Sequence, residues 1–285
     1  MYGRIILLLL LLTYSTAYGQ SSKDSSTYKQ NPSYINTSIS LRFSNFDSPN
    51  NLYKKTASDF AKVFTSPLHW RKNDYIKLGT IVAAASTLYI FDEDIYNVVN
   101  RNKTTQTRFT TKYILEPIGN YSTYALLAGM AGYGLIYHKE RPTSTAILSA
   151  ESLILASLFV QIPKRLAGRE RPKNTHPLSS KEWNGWGGGT SFWSGHTTAA
   201  FSVASVIAEM YDDRPTIGFI AYSAATLAGL SRIHDQKHWA SDVFMGAVVG
   251  TAIGKLVVKS YHSNKVAFTP VIAPDNTAVY FSFTF

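Results

Sequence analysis

An all-α fold, a bundle of about six core helices, is what this sequence predicts, and three observations predict it. Six apolar runs follow one another at 78–91, 118–137, 143–163, 197–211, 216–230 and 243–258. Small residues punctuate them, as in Ala83-Ala84-Ala85, 129–134 and 246–254, and small residues let helices approach closely in lipid or in a tight bundle. Apolar residues make up 45% of the 285, enough to bury a sizeable core in one large domain or two small ones.

Taken in order, 1–19 reads as a secretory signal. Arg4 supplies the positive start, 5–12 the apolar run, and Ala17-Tyr18-Gly19 the small residues that place cleavage before Gln20. The alternative is an uncleaved anchor, for which the run is short of the ~20 residues a span needs. Residues 20–51 are rich in Ser, Asn and Thr and read as a polar, partly disordered lead-in. Residues 52–260 form the helical domain, opening with an amphipathic stretch at 57–64. Inside it, Arg214-Pro215 makes a tight connection with Pro215 at a helix start. Residues 265–285 alternate, turn at Pro274-Asp275-Asn276 and predict a C-terminal β-hairpin. Only 118–137 reaches the ~18 charge-free residues of a firm membrane candidate. Lys77, Glu151, Glu209 and Lys255 interrupt or bound the other runs. The domain is therefore expected on the exported side, in the periplasm or the envelope membrane, with the question of embedding open.

The net charge is +10, from 28 basic and 18 acidic residues, which favours anionic partners. The basic residues are scattered rather than striped along one helix, so nucleic acid is not among the expected partners. The chain has no cysteine, which removes disulfides, thiol catalysis and thiolate metal sites together. No metal-ligand spacing stands out, and no cofactor is expected.

Three polar blocks carry the chemistry. In the first, Lys164 and Arg171 stand seven residues apart, a spacing that puts both on one face of a helix. Pro172 sets the block at a helix end. Arg offers a planar fork to phosphate oxygens and Lys a mobile charge. The bland alternative is a pair of solvated cations near a helix terminus. The second block, Ser194-Gly195-His196, follows a glycine-rich loop walled by Trp183, Trp186 and Trp193. It can present a hydroxyl and backbone N–H groups at a helix start, which suits an anion. Alone it is as well read as an ordinary N-cap serine before a core histidine. The third block holds Ser231-Arg232, then His238 and Asp242 at i and i+4. On one helix face Asp242 can accept from one ring nitrogen of His238 and leave the other free to attack. The bland alternative is a surface His–Asp pair.

The order and spacing of the three blocks together resemble the type 2 phosphatidic acid phosphatase superfamily, which also holds bacterial acid phosphatases and vanadium haloperoxidases. That pattern is Lys, six residues, Arg-Pro; then Pro-Ser-Gly-His; then Ser-Arg, five residues, His, three residues, Asp. The first and third blocks match it fully. The second has Trp193 where proline is usual, which alters the entry to the loop. The resemblance covers about 164–242. It implies that Lys164, Arg171 and Arg232 bind the phosphoryl oxygens with help from Ser194 and Gly195. It implies His238 as nucleophile, Asp242 as its orienting partner and His196 as the acid on the leaving oxygen.

The expected function is a metal-independent phosphatase. Its expected substrate is a phosphomonoester or diphosphate, a lipid or isoprenoid phosphate in particular, hydrolysed through a phosphohistidine at a membrane. A soluble periplasmic acid phosphatase, a vanadate-dependent haloperoxidase and a non-catalytic anionic-lipid-binding envelope protein are the alternatives.

Overall fold

Residues 71–263, 266–273 and 276–283 are described by the computed structural model, with side chains described for 71–262. The signal, the lead-in and the amphipathic stretch at 57–64 lie outside these residues. Helix α1 (Lys72–Ile90) leads to α2 (Asp92–Arg101), whose first turn carries Asp92, Glu93 and Asp94. Carboxylates there complement the positive end of the helix dipole. Helix α3 (Thr105–Thr110), started by a Thr104–Thr107 capping box, runs through a π turn (Thr111–Leu115) into the single turn α4 (Glu116–Ile118). Then come α5 (Tyr121–Ile136), α6 (Glu140–Phe159) and α7 (Gln161–Ala167). A 3₁₀ turn (Pro172–Asn174) and a long loop precede α8 (Gly195–Met210). Helix α9 (Pro215–His234) begins with Pro215 in its first turn, and α10 (Ala240–Ser263) follows. Beyond it strands β1 (Val266–Ala273) and β2 (Asn276–Phe283) pair antiparallel, Val266 opposite Phe283 and Ala273 opposite Asn276.

Helix α8 is the axis of the bundle. One cluster joins Val206 of α8 to Leu148 and Leu155 of α6 and to Ile253, Val257 and Val258 of α10. A second packs Ala200 and Ala204 against Ala225 and Ala228 of α9. A third sets Val203 and Ile207 against Leu127 of α5. Every helix that flanks α8 therefore spends an apolar stripe on it.

The contact between α8 and α10 is close because α10 sets Gly246, Gly250 and Gly254 against the backbone of α8. A Cβ at Gly250 would sit 2.3 Å from the carbonyl oxygen of Thr198, and one at Gly254 would sit 2.4 Å from that of Ser202. The obstacle is backbone, so the helices would have to part. Overpacking of this kind costs about 1–3 kcal/mol. Gly250→Ala is thus expected to lower the melting temperature by several degrees. Gly79→Ala on α1, where nothing lies within 4 Å, should leave it unchanged or raise it slightly. Thermal melts of the two variants side by side check the pair.

The run at 118–137 is broken by Gly119-Asn120, and the helix that remains, α5, has 16 residues. Among the described residues, two helical stretches are long and apolar enough to cross a membrane, Glu140–Ala167 and Ala240–His262, each about half buried within the bundle. The charges that seemed to disqualify them are set aside in different ways. Glu151 is buried, while Lys255 pairs with Glu209 at 3.0 Å. Large apolar side chains also face outward along α1, α5, α6 and α9, among them Val82, Leu126, Ile154, Phe219 and Ile220.

Candidate active site

The chain between α7 and α8 folds back on itself to make one wall of a cavity. Helix α7 ends at Gly168, which takes a left-handed φ of +60°. A side chain there would run into the backbone of Gly185, so this reversal is open to glycine alone. The glycine-rich loop then lies along the reversed strand of chain. Asn184 and Gly189 donate to the carbonyl of Gly168, and Ser191 N–H donates to that of Arg169 at 2.9 Å. The loop is pinned at both ends, with Trp183 Nε1 donating to Tyr89 Oη at 3.1 Å and Trp193 stacked on Phe159.

Because the helix stops at Gly168, Lys164 and Arg171 do not share a helix face. Lys164 projects from the last turn of α7, and Arg171 from the extended segment after it. Both nevertheless line a cavity of about 300 Å³ together with Gly195, His196 and His238. Lys164 Nζ donates to the carbonyl of Thr190 at 2.6 Å. Arg171 has a buried Nε with no hydrogen-bond partner among the described residues. A buried donor left unpaired is costly, and here it borders a cavity. Burial first, and the Arg232 charge after it, hold the Arg171 guanidinium below its ordinary pKa, with Asp242 opposing them.

Ser194 is fully buried and is spent on the helix. Its Oγ accepts from the N–H and hydroxyl of Thr197, at 3.4 and 2.9 Å, as the N-cap of α8. What reaches the cavity from this block is Gly195 and the His196 ring. Arg232 is 1% exposed and does not border the cavity. Its guanidinium is held by Ser231 Oγ at 2.9–3.0 Å, Glu116 at 3.2 Å and Asp235 at 3.4 Å. Glu116 also accepts from Lys237 at 2.6 Å. Glu116 escaped sequence reading because it lies 116 positions from Arg232, on the single turn α4 that follows a π turn and that no periodicity marks.

His238 is not on a helix. It sits in the turn before α10, and Asp242 is in that helix's first turn. The expected bond between them is not formed, since Nδ1 of His238 is 3.9 Å from Asp242 Oδ2. Asp242 Oδ2 instead caps the helix by accepting from Trp239 N–H at 3.0 Å and takes the Ser191 hydroxyl at 2.5 Å. The partner of Nδ1 is the carbonyl of Ser191, at 2.8 Å. A carbonyl can only accept, so Nδ1 carries the hydrogen and Nε2 keeps its lone pair. Asp242 is linked to the ring at one remove, through the Ser191 hydroxyl and carbonyl.

The surroundings of both histidines favour the neutral ring. Burial, then the Arg232 and Lys237 charges, lower the His196 pKa to about 4. Burial, then Lys164 and Arg171, hold His238 well below the ordinary range.

Residues 145–265 match the sequence pattern of the PAP2 superfamily. Over that stretch the chain carries the type 2 phosphatidic acid phosphatase pattern. Lipid A 1-phosphatase of Porphyromonas gingivalis is 28% identical over 212 residues, covering 73% of this chain and 44% of that protein. The chain thus spans less than half the length of that relative. Lipid phosphate phosphatase 1 of Arabidopsis thaliana is 24% identical over 229 residues, 68% of each protein. The crystal structure of LpxE from Aquifex aeolicus superposes with a TM-score of 0.46 at 24% identity, covering 59% of this chain and 95% of that one. The family match ends where the helices do, and the C-terminal hairpin draws no support from it.

Proposed function

We propose that this protein is a lipid phosphate phosphatase, working at a membrane through a phosphohistidine on His238. The observation that carries the proposal is the single cavity bordered by Lys164, Arg171, Gly195, His196 and His238, into which a tetrahedral anion would bring the charge the site lacks. Fixed cations around the equatorial oxygens, with groups in line on either side, are what phosphoryl transfer demands.

In this mechanism the lone pair of His238 Nε2 attacks phosphorus and the bond from phosphorus to the leaving oxygen breaks. His196 gives a proton to that oxygen, so an alcohol or a shorter phosphate departs. Water then attacks the phosphohistidine, its proton passes to His196, and inorganic phosphate and neutral His238 are restored. Lys164 and Arg171 hold the phosphoryl oxygens, with the Gly195 N–H beside them. Ser194 holds the start of α8, and Arg232 contributes charge from behind the wall. A lipid monophosphate or isoprenoid diphosphate fits the outward apolar residues of α1, α5, α6 and α9. Surface of that kind suits a bundle in contact with lipid. Lipid phosphates are also what the two named relatives act on, by their names. Phosphate release from a panel of phosphatidic acid, lipid A, isoprenoid diphosphate and soluble esters, with chelator present, tests this. Turnover of the soluble esters alone would sink the lipid assignment.

A pH profile follows from the two histidines. The His196 pKa is lowered to about 4, so the proton it donates arrives with the substrate or is stabilised by it. Neutral His196 with a phosphate monoanion has the same proton count as protonated His196 with the dianion. The second phosphate pKa is about 6. Activity measured as kcat/KM is therefore expected to fall about tenfold per pH unit above roughly pH 7. At the acid end it should persist further than an ordinary histidine nucleophile would allow, because burial and then the Lys164 and Arg171 charges hold the His238 pKa well below its ordinary range. A profile that is flat from pH 5 to 9 would refute the paired roles.

A further inference from the structure

Behind the cavity lies a buried ionic chain that the mechanism above does not use. At its centre is Arg169, 1% exposed and outside the cavity wall. Its Nη1 donates to Asp242 Oδ1 at 2.7 Å and its Nη2 to Asp92 Oδ2 at 2.7 Å. Nε and Nη2 also donate to the carbonyl of Ser180, at 3.2 and 3.0 Å. The rings of Tyr89, Trp183 and Trp239 surround the guanidinium with centroids 5.0, 5.0 and 5.5 Å away. Asp92 is fixed in turn by the N–H and hydroxyl of Ser241, at 2.9 and 2.5 Å.

We propose that Arg169 is a positioning residue for His238, setting the orientation of Asp242 so that Ser191 presents its carbonyl to Nδ1. The path is continuous, from Arg169 Nη1 to Asp242, from Asp242 to the Ser191 hydroxyl and from the Ser191 carbonyl to His238. Arg169 is tied to Ser191 a second way, since its own carbonyl accepts the Ser191 N–H. One planar fork holds two carboxylates at fixed angles, which a lysine ammonium cannot reproduce. The proposal rests on His238 being the nucleophile, and its test separates the two.

The test compares full-length wild type, Arg169→Lys, Asp92→Asn and His238→Ala in detergent. Histidine ¹⁵N NMR reads the His238 tautomer without any substrate, and turnover is measured on dioctanoyl phosphatidic acid micelles. Wild type should give a single Nδ1–H form. Arg169→Lys should give both tautomers, with kcat lowered about 10- to 100-fold, as for other groups that orient a ligand or catalyst from behind, and KM nearly unchanged. Asp92→Asn, which frees one end of the fork, should shift both readouts the same way and less far. A single tautomer with unchanged kcat in either folded variant overturns the proposal, as does a loss confined to KM or to the unfolded fraction. Wild-type turnover by His238→Ala would instead sink the nucleophile assignment, with the tautomer readout still deciding the role of Arg169.

Discussion

Replacing His238 with alanine is expected to lower phosphate release by about 10⁴-fold or more, because the bond-forming atom itself is removed. Neutral Nε2 is the one ring position left with a lone pair once Nδ1–H is committed to the Ser191 carbonyl at 2.8 Å. The ring borders the cavity beside Lys164 and Arg171, so an anion held by those cations meets it directly. No water placed by the remaining groups has the same nucleophilicity at neutral pH. His196→Ala should be milder, about 10²–10⁴-fold, since it removes proton transfer and spares the covalent step. With substrates whose leaving group needs no proton, such as para-nitrophenyl phosphate, it should spare formation of the phosphohistidine and slow only its hydrolysis, where His196 takes the proton of water. The covalent step has its own readout. Wild type quenched in alkali during turnover of ³²P-labelled phosphatidic acid should carry base-stable, acid-labile label, and His238→Ala none. Label that survives in His238→Ala would place the nucleophile elsewhere.

How far the sequence announced this arrangement differs from residue to residue. The helices were legible where apolar runs were long, as at α8, α9 and α10, whose buried faces meet in the core clusters. Helix α2 was not, since its residues are mostly polar and its one buried side chain is Asp92. The run at 118–137, the firmest membrane candidate by hydropathy, is not one helix, because Gly119-Asn120 separates α4 from α5. In the site, Lys164, Arg171, Gly195, His196 and His238 were legible because their spacing survives as a motif, and they do border one cavity. The way each is held was not. The i, i+4 rule joined His238 to Asp242 on a helix that begins only at Ala240. Arg169 sits inside the first block and went unremarked, because an arginine reads as solvated until its burial is known. Its partners Asp92 and Asp242 are 77 and 73 positions away, a contact no local pattern encodes.

The second large effect belongs to Arg171, where catalysis and stability should move in opposite directions. Its Nε is buried with no hydrogen-bond partner among the described residues, and burial holds the guanidinium below its ordinary pKa. A charged group kept in that state costs the folded protein free energy, which a bound phosphate would return. Arg171→Ala is therefore expected to lower kcat about 10²–10³-fold, the loss typical of one fixed donor to a developing charge. In the absence of ligand the same variant should melt about 2–4 °C above wild type. Added phosphate or vanadate should raise the melting temperature of wild type and leave that of Arg171→Ala nearly still, since the ligand stabilises only the form that binds it. Arg171→Lys should recover charge without the fork, and so regain binding more than rate. The decisive comparison is the sign of the two shifts. An Arg171→Ala protein that loses activity and stability together would make Arg171 a structural residue, whereas one that is inactive and more stable identifies a cation held ready for an anion.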